Sequence, residues 1–322
     1  MILGCGEALI DMVPALLSGG EPAFKPCPGG SPYNTILAAG RLGVPAAFMG
    51  RLSRDFFGEM LTERLRAGNV KTDYIVRSSQ TSTLAFVKLE AGREPEYIFY
   101  TEGSADRSFS PEDLPSLLPP GINCIFFGSI SMTMEPVATT IESFIRRETS
   151  KPGGGPVISF DPNVRPFMIP DRDAYVRRFE TWISMSTIAK ISEADFDFIY
   201  PGLGLEKSLE RVLSMGVRMA VTTLGPKGAL ALLRKADGSV LRVSAPVVDL
   251  PVKDTIGAGD TFHGGFLAWL EMNGKMEQQK LADLTEAELY DALFFANKAA
   301  SLVCSKQGAE PPTMAEMESL KV

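Results

Sequence analysis

Asp254-Thr255-Ile256-Gly257-Ala258-Gly259-Asp260-Thr261-Phe262 is the stretch on which the reading of this chain turns. Its glycines let the backbone turn sharply and bring N–H groups against an anion with no Cβ in the way. The residues that follow, Thr261 to Leu270, read as a buried helix whose positive dipole end points back at Gly257, Ala258 and Gly259. The pattern predicts an oxyanion cradle. Asp260 stands at its mouth, placed to take a proton from a hydroxyl attacking the terminal phosphate of a nucleotide. A plainer reading is a glycine turn with Asp260 as a helix cap. The second acid, Asp254, and the hydroxyls of Thr255 and Thr261 make the cluster denser than a turn requires.

Outward from that stretch, strands alternate with helices, the pattern of a parallel sheet covered on both faces. A first strand is predicted over 1–9. Gly29-Gly30-Ser31-Pro32-Tyr33-Asn34 then opens a helix over 35–42 that ends at Gly43. A strand over 46–49 and an amphipathic helix over 55–67 follow. Core strands are predicted over 124–127, 157–160, 189–191 and 220–223. Each ends on a polar residue or glycine, where open α/β sheets bind ligands. Two stretches, 12–27 and 83–100, break the rhythm with β-like runs and no helix between them. They read either as surface hairpins or as a small separate sheet that closes over a substrate and excludes water. Gly153-Gly154-Gly155 reads as a flexible connection, not a domain boundary, because the alternation continues beyond it.

Composition narrows the function. With 322 residues, 45% of them hydrophobic, the chain can bury a large core. A net charge of −7 and the lack of a Lys/Arg run argue against nucleic acid as partner. Cys5, Cys27, Cys124 and Cys304 lack CxxC spacing, which predicts neither a zinc site nor a disulfide framework and fits a cytoplasmic protein. No export signal or membrane span is expected. His263 is the sole histidine, so a Ser-His-Asp triad or a His-rich metal centre has almost no room. The proton acceptor must then be a carboxylate. His263 itself, one turn beyond Asp260, reads either as lining the edge of the site or, the favoured reading, as packing. No G-x-x-x-x-G-K-[ST] element is present, so phosphate is bound without that P-loop.

Several ordered motifs together are more specific than any one alone. Gly6-Glu7-Ala8-Leu9-Ile10-Asp11, the Gly-Gly-Ser-Pro-x-Asn at 29–34, Gly50-Arg51-Leu52-Ser53-Arg54-Asp55-Phe56-Phe57-Gly58 and the late Asp-Thr-x-Gly-Ala-Gly-Asp-Thr-Phe resemble the two signatures of the PfkB/ribokinase family of sugar kinases, over nearly the whole chain. The resemblance is strongest to its fructokinases. It implies a ribokinase-like three-layer α/β/α sandwich with a mostly parallel central sheet and a small β-sheet lid. The core would comprise 1–11, 31–82 and 103–322, and the lid 12–30 and 83–102.

The resemblance also implies roles. Asp11 and Asn34 would hold sugar hydroxyls, Gly30 would let the backbone touch the sugar, and Phe99 would cover its ring. Arg107 and Asn163 would face the substrate, and Arg165 would offset charge on the transferring group. Thr223, Gly225 and Gly228 would contact nucleotide phosphate or ribose, with Lys190 also on the nucleotide side and Asn297 flanking the adenine pocket. Glu193 would organise Mg²⁺ through water. Asp254, Ile256 and the 306–309 region would supply main-chain oxygens to a monovalent cation such as K⁺. The implied activity is ATP-dependent phosphorylation of a sugar, with fructose favoured. Kinases for 2-keto-3-deoxygluconate, ribose, nucleosides and aminoimidazole riboside share the frame, and a catalytically silent sugar-binding relative is the non-enzyme reading. A homodimer through the lid is implied as well.

Overall fold

The computed structural model describes residues 1–88, 96–151 and 155–321. Gly153 and Gly154 of the predicted connection, and residues 89–95 of the second β-like stretch, lie outside them. Strand β1 (Ile2–Cys5) is fully buried, as an apolar strand covered on both faces must be. The chain then leaves the main sheet at Gly6, whose φ is +149° and where a Cβ would lie 2.5 Å from Pro32 Cγ. The strand predicted over 1–9 is therefore interrupted. Residues 6–8 belong to no strand, and only Leu9 of the predicted run joins β2 (Leu9–Leu16), which pairs antiparallel with β3 (Pro22–Gly29) in a different sheet.

Helix α1 (Ser31–Arg41) starts earlier than the predicted 35 because Pro32, in the first turn, lacks an N–H that would be unpaired there anyway. Strands β4 (Ala46–Ser53) and β5 (Val70–Ser78) flank α2 (Phe56–Ala67), whose cap Asp55 accepts the Gly58 N–H at 2.8 Å. Next come β6 (Leu84–Lys88) and β7 (Glu96–Tyr100), which complete a four-stranded sheet in the order β3-β2-β6-β7. The chain then alternates through β8 (Cys124–Gly128), α3 (Val137–Thr149), β9 (Val157–Asp161) and α4 (Arg172–Ser184). It continues through β10 (Ile188–Ser192), α5 (Glu193–Ile199), α6 (Leu205–Ser214) and β11 (Met219–Thr223).

Strands β12 (Ala229–Arg234) and β13 (Val240–Ala245) add an antiparallel edge that the sequence reading did not assign. The C-terminal part is helical: α7 (Ala258–Met272), α8 (Gln278–Ala282), α9 (Glu286–Cys304) and α10 (Met314–Ser319). Helix α9 is opened by a reciprocal capping box between Thr285 and Glu288.

The large sheet runs β13-β12-β11-β10-β9-β8-β1-β4-β5 and is parallel from β11 to β5. Side chains alternate between its faces. Phe48, Phe126 and Val221 pack with α1, α7 and α9, whereas Met49, Phe127 and Phe160 pack with α3, α4 and α6. The result is a three-layer α/β fold with a small separate sheet. From β1 the chain builds outward to β5, then returns to place β8 on β1's other side, so the crevice above β1 and β8 is the switch point where such sheets take ligands. Among the described residues no helix is long and apolar enough to cross a membrane, and the four cysteines are free thiols.

Candidate active site

Two cavities open at the C-terminal edge of the large sheet and meet at the first turn of α7. One, of about 290 Å³, is lined by Glu7, Asp11, Asn34, Arg165 and Asp260 and roofed by Tyr97 and Phe99 of the small sheet. The other, of about 630 Å³, is mainly apolar and lies between the β11–β12 turn, residues 247–252 and helices α7 and α9. Thr255, Ala258 and Gly259 line both. A molecule in each would therefore face the other across the helix N-terminus.

Gly257, at φ +75°, is the cap of α7, and a Cβ there would lie 2.8 Å from Ala309 Cβ. The Ala258 N–H is spent on Thr255 O at 3.2 Å, and the Thr261 N–H bonds Gly257 O at 2.8 Å. This amends the predicted cradle. Of the amides a helix start leaves over, those of Gly257, Gly259 and Asp260 keep no backbone partner among the described residues, and only Ala258 is withdrawn. Asp260 does not cap the helix. Its Oδ1 accepts the Ser31 hydroxyl at 2.7 Å and its Oδ2 accepts Asn34 Nδ2 at 3.0 Å. Burial raises the Asp260 carboxyl above its ordinary range; the bonds from Ser31 and Asn34 pull it back.

Asn34 is buried and its Oδ1 has no partner, so an acceptor on the cavity wall awaits a donor. Asp11 is pushed up to about 7 by burial, with the Asp260 charge acting the same way and Arg165 against it. Glu7, only 2% exposed, is pushed up to about 7 by burial despite bonds from Ser131. The Arg165 guanidinium folds back on Asn163, reaching its Oδ1 at 2.8 Å, and the Val164 N–H is held by Asp195 Oδ1 at 2.7 Å. Phe99 and Tyr97 meet Phe167, two residues past Arg165, with ring centroids 5.7 and 6.5 Å apart.

Beneath the α7 N-terminus lies a buried ionic group. Lys190 Nζ donates to Asp161 Oδ2 at 2.9 Å. Burial is the largest influence on both and opposes their charges, but the surrounding attractions together outweigh it, from Asp161, Asp195 and Asp260 on Lys190 and from Lys190 and His263 on Asp161, so Lys190 lies above and Asp161 below its ordinary range. His263 is fully buried against Phe126, with Nε2 2.7 Å from Ser159 Oγ and Nδ1 3.6 Å from Asp161, too far for a hydrogen bond. Burial lowers its pKa, so it is a neutral packing residue.

The predicted residues divide by location. Asp11, Gly30, Asn34, Phe99, Asn163, Arg165, Ile256 and Asp260 share the first cavity; Thr223, Gly225, Gly228 and Asn297 share the second. Asn297 also donates to Ala245 O and Pro246 O at 2.9 and 3.0 Å, fixing one wall. Arg107 lines neither, because its guanidinium is drawn to Glu102 at 3.4 Å and to the Glu135 carbonyl. Glu193 lines neither and is exposed on the first turn of α5. Both Asp254 oxygens accept amides, from Ile256 at 3.0 Å and Gly308 at 2.9 Å. Glu7, Ser31, Tyr97 and Asp161 carried no role in the sequence reading. Only Glu7 left a signal there, as an acid inside an otherwise apolar run.

An anion-binding helix start and a buried carboxylate, set between a polar cavity and an apolar one, define a phosphotransferase that moves a phosphoryl group onto an alcohol. Comparison with known proteins narrows the class. The chain belongs to the pfkB family of carbohydrate kinases, whose model matches residues 5–316. It is 38% identical to a fructokinase of Rhizobium leguminosarum bv. trifolii, over 90% of this chain and 85% of that one. A crystal structure of fructokinase with bound ATP from Xylella fastidiosa superposes with a TM-score of 0.87 at 28% identity, covering 99% of this chain and 97% of that one. Fructokinase from Vibrio cholerae O395, in a form with fructose, ADP and calcium ion bound, gives 0.81 at 26% identity, covering 99% and 97%. The protein is an ATP-dependent sugar kinase.

Proposed function

We propose that the sugar is D-fructose, held in the smaller cavity while ATP occupies the apolar one. The observation that carries this reading is the Asp260 carboxylate at the junction of the two cavities, beside the free amides of Gly259 and Asp260. Asp260 takes the proton of the attacking hydroxyl as its oxygen bonds to the γ-phosphorus and the bond to the β-phosphate oxygen breaks, releasing ADP. The amides, with Lys190 behind Gly259 and Arg165 above, offset charge on the moving group. Asp11 and the free Asn34 Oδ1 accept sugar hydroxyls. The lining favours a neutral sugar over an aldonic acid: three carboxyls, Glu7, Asp11 and Asp260, stand against the single guanidinium of Arg165, so even with Glu7 and Asp11 partly protonated near pH 7 no surplus positive charge meets a carboxylate.

Among the described residues no three Asp, Glu, His or Cys side chains gather as a metal cage. Mg²⁺ needs none, since one carboxylate reached through water and the phosphates suffice. Glu193, exposed on the first turn of α5 and outside the lining of both cavities, would take that part through water. When bound, Mg²⁺ neutralises the phosphate oxygens. A monovalent cation such as K⁺ would rest on main-chain oxygens of Asp254, Ile256 and the 306–309 turn, because the Asp254 carboxylate is already occupied by amides. The small sheet serves as the lid: its Asp11, Tyr97 and Phe99 face the sugar cavity. Its opposite face carries Leu16, Phe24, Phe86, Ile98 and Tyr100, four of them at least half exposed. That apolar face is the surface for a homodimer. Free thiols agree with a reducing, cytoplasmic setting.

The test is a panel of fructose, ribose, 2-keto-3-deoxygluconate and nucleosides, measuring kcat/KM for each with ATP. Fructose should lead; a lead for any other acceptor would overturn the assignment.

A further inference from the structure

Ser31 occupies the first turn of α1, where a hydroxyl ordinarily caps, yet the cap is Gly30 and makes no side-chain bond. Ser31 is 6% exposed. Its N–H donates to Glu7 Oε1 at 3.2 Å, and its hydroxyl, spared from capping, donates to Asp260 Oδ1 at 2.7 Å. Glu7 is itself fixed from the far side of the crevice, where the Ser131 N–H donates to its Oε2 at 3.2 Å and the Ser131 hydroxyl bonds the same oxygen. Elements following β1 and β8 and the start of α1 thus converge on one oxygen of Asp260.

We propose that Ser31 is the positioning residue of the base, locking the Asp260 carboxylate in the plane that leaves its free lone pairs toward the sugar hydroxyl. The inference rests on the reading of Asp260 as base. With only the Asn34 bond on Oδ2, the carboxylate could rotate about its last torsion; a second donor on Oδ1 removes that freedom before substrate arrives. A donor to the charged form also favours the carboxylate over the acid. The other charged or titratable groups around Asp260 are Glu7 and Asp11 beside β1 and β2, Asp161 and Arg165 at and after β9, Lys190 on β10 and His263 on α7. All of them remain when the Ser31 hydroxyl is removed.

Ser31→Ala should lower kcat about tenfold, the worth of one hydrogen bond to a charged group, with sugar KM changed less than about twofold. The acid limb of the kcat–pH profile should rise by about one pH unit. Ser31→Cys, similar in size but a weak donor, should behave like Ser31→Ala. Parental kcat and an unmoved limb in Ser31→Ala would overturn the proposal. So would a raised sugar KM at unchanged kcat, which would make Ser31 a sugar contact, or full activity in Ser31→Cys, which would make volume its role. Asp260→Asn, assayed alongside, separates the two levels: parental turnover there sinks the base assignment itself, whereas a dead Asp260→Asn beside a parental Ser31→Ala sinks only the role of Ser31.

Discussion

Lys190 Nζ and Asp161 Oδ2 lie 2.9 Å apart with both side chains buried, and a Cβ on Gly259 would come within 3.3 Å of the same ammonium. The ion pair therefore sets a fixed positive charge under the amides at the start of α7. Its geometry serves the site more than the fold, since a buried pair gains little over apolar neighbours while a broken one leaves a bare charge.

Asp161→Asn should accordingly destabilise the protein by about 3–5 kcal/mol, read from urea unfolding. Adding Lys190→Met should recover much of that stability but leave kcat/KM for ATP depressed. If the double variant binds and turns over ATP like the parent, the ammonium has no part in phosphate handling.

Glu7 titrates at about 7 instead of the ordinary 4.5. Because its folded pKa is the higher one, the folded state keeps a proton that the unfolded chain releases between those values. Its contribution to stability is then largest below pH 4.5 and is lost as pH rises toward 7, by about 3 kcal/mol. Glu7→Gln should flatten that part of the stability–pH curve in denaturant titrations at pH 5, 6 and 7. Asp11, raised in the same direction, leaves a residual slope. An unchanged curve would mean that Glu7 is ionised throughout.

The outer face of the small sheet is bound together by Phe86, whose ring centroid is 5.1 Å from Phe24 and 5.6 Å from Tyr100. Tyr100→Asp should convert a dimer into a monomer in sedimentation velocity at micromolar concentration. A parent that sediments as a monomer under the same conditions removes the interface.

Much of the architecture was legible because period and punctuation agreed. The strands over 124–127, 157–160, 189–191 and 220–223 appear as β8, β9, β10 and β11, since short apolar runs ended by polar residues have few alternatives in an α/β chain. The failures have local causes. The break between β1 and β2 was missed because Leu9 and Ile10 are as apolar as Ile2 and Leu3, and only the contacts around Gly6 show that the chain leaves one sheet for another. The β13 edge strand was missed because Arg242 and Ser244 interrupt its apolar residues, leaving no continuous run like those of the core strands. For Arg107 no sign of its partners stood in the sequence: a guanidinium can reach many acceptors, and here it meets Glu102 and the Glu135 carbonyl.

The sequence by itself pointed to the chemistry: a glycine turn before a buried helix leaves amides that suit an anion, and with one histidine in the chain a carboxylate was the expected proton acceptor. It determined the α/β class for the same kind of reason, since backbone geometry and apolar periodicity are local properties. Which groups act together was decided by the tertiary structure alone. Ser31 and Asn34 meet Asp260 across 229 and 226 positions, Lys190 meets Asp161 on a neighbouring strand, and the Ala258 amide turns inward to Thr255. Such pairings depend on the order in which strands enter the sheet and on burial, which shifts a carboxyl's proton affinity without leaving any mark on the sequence around it.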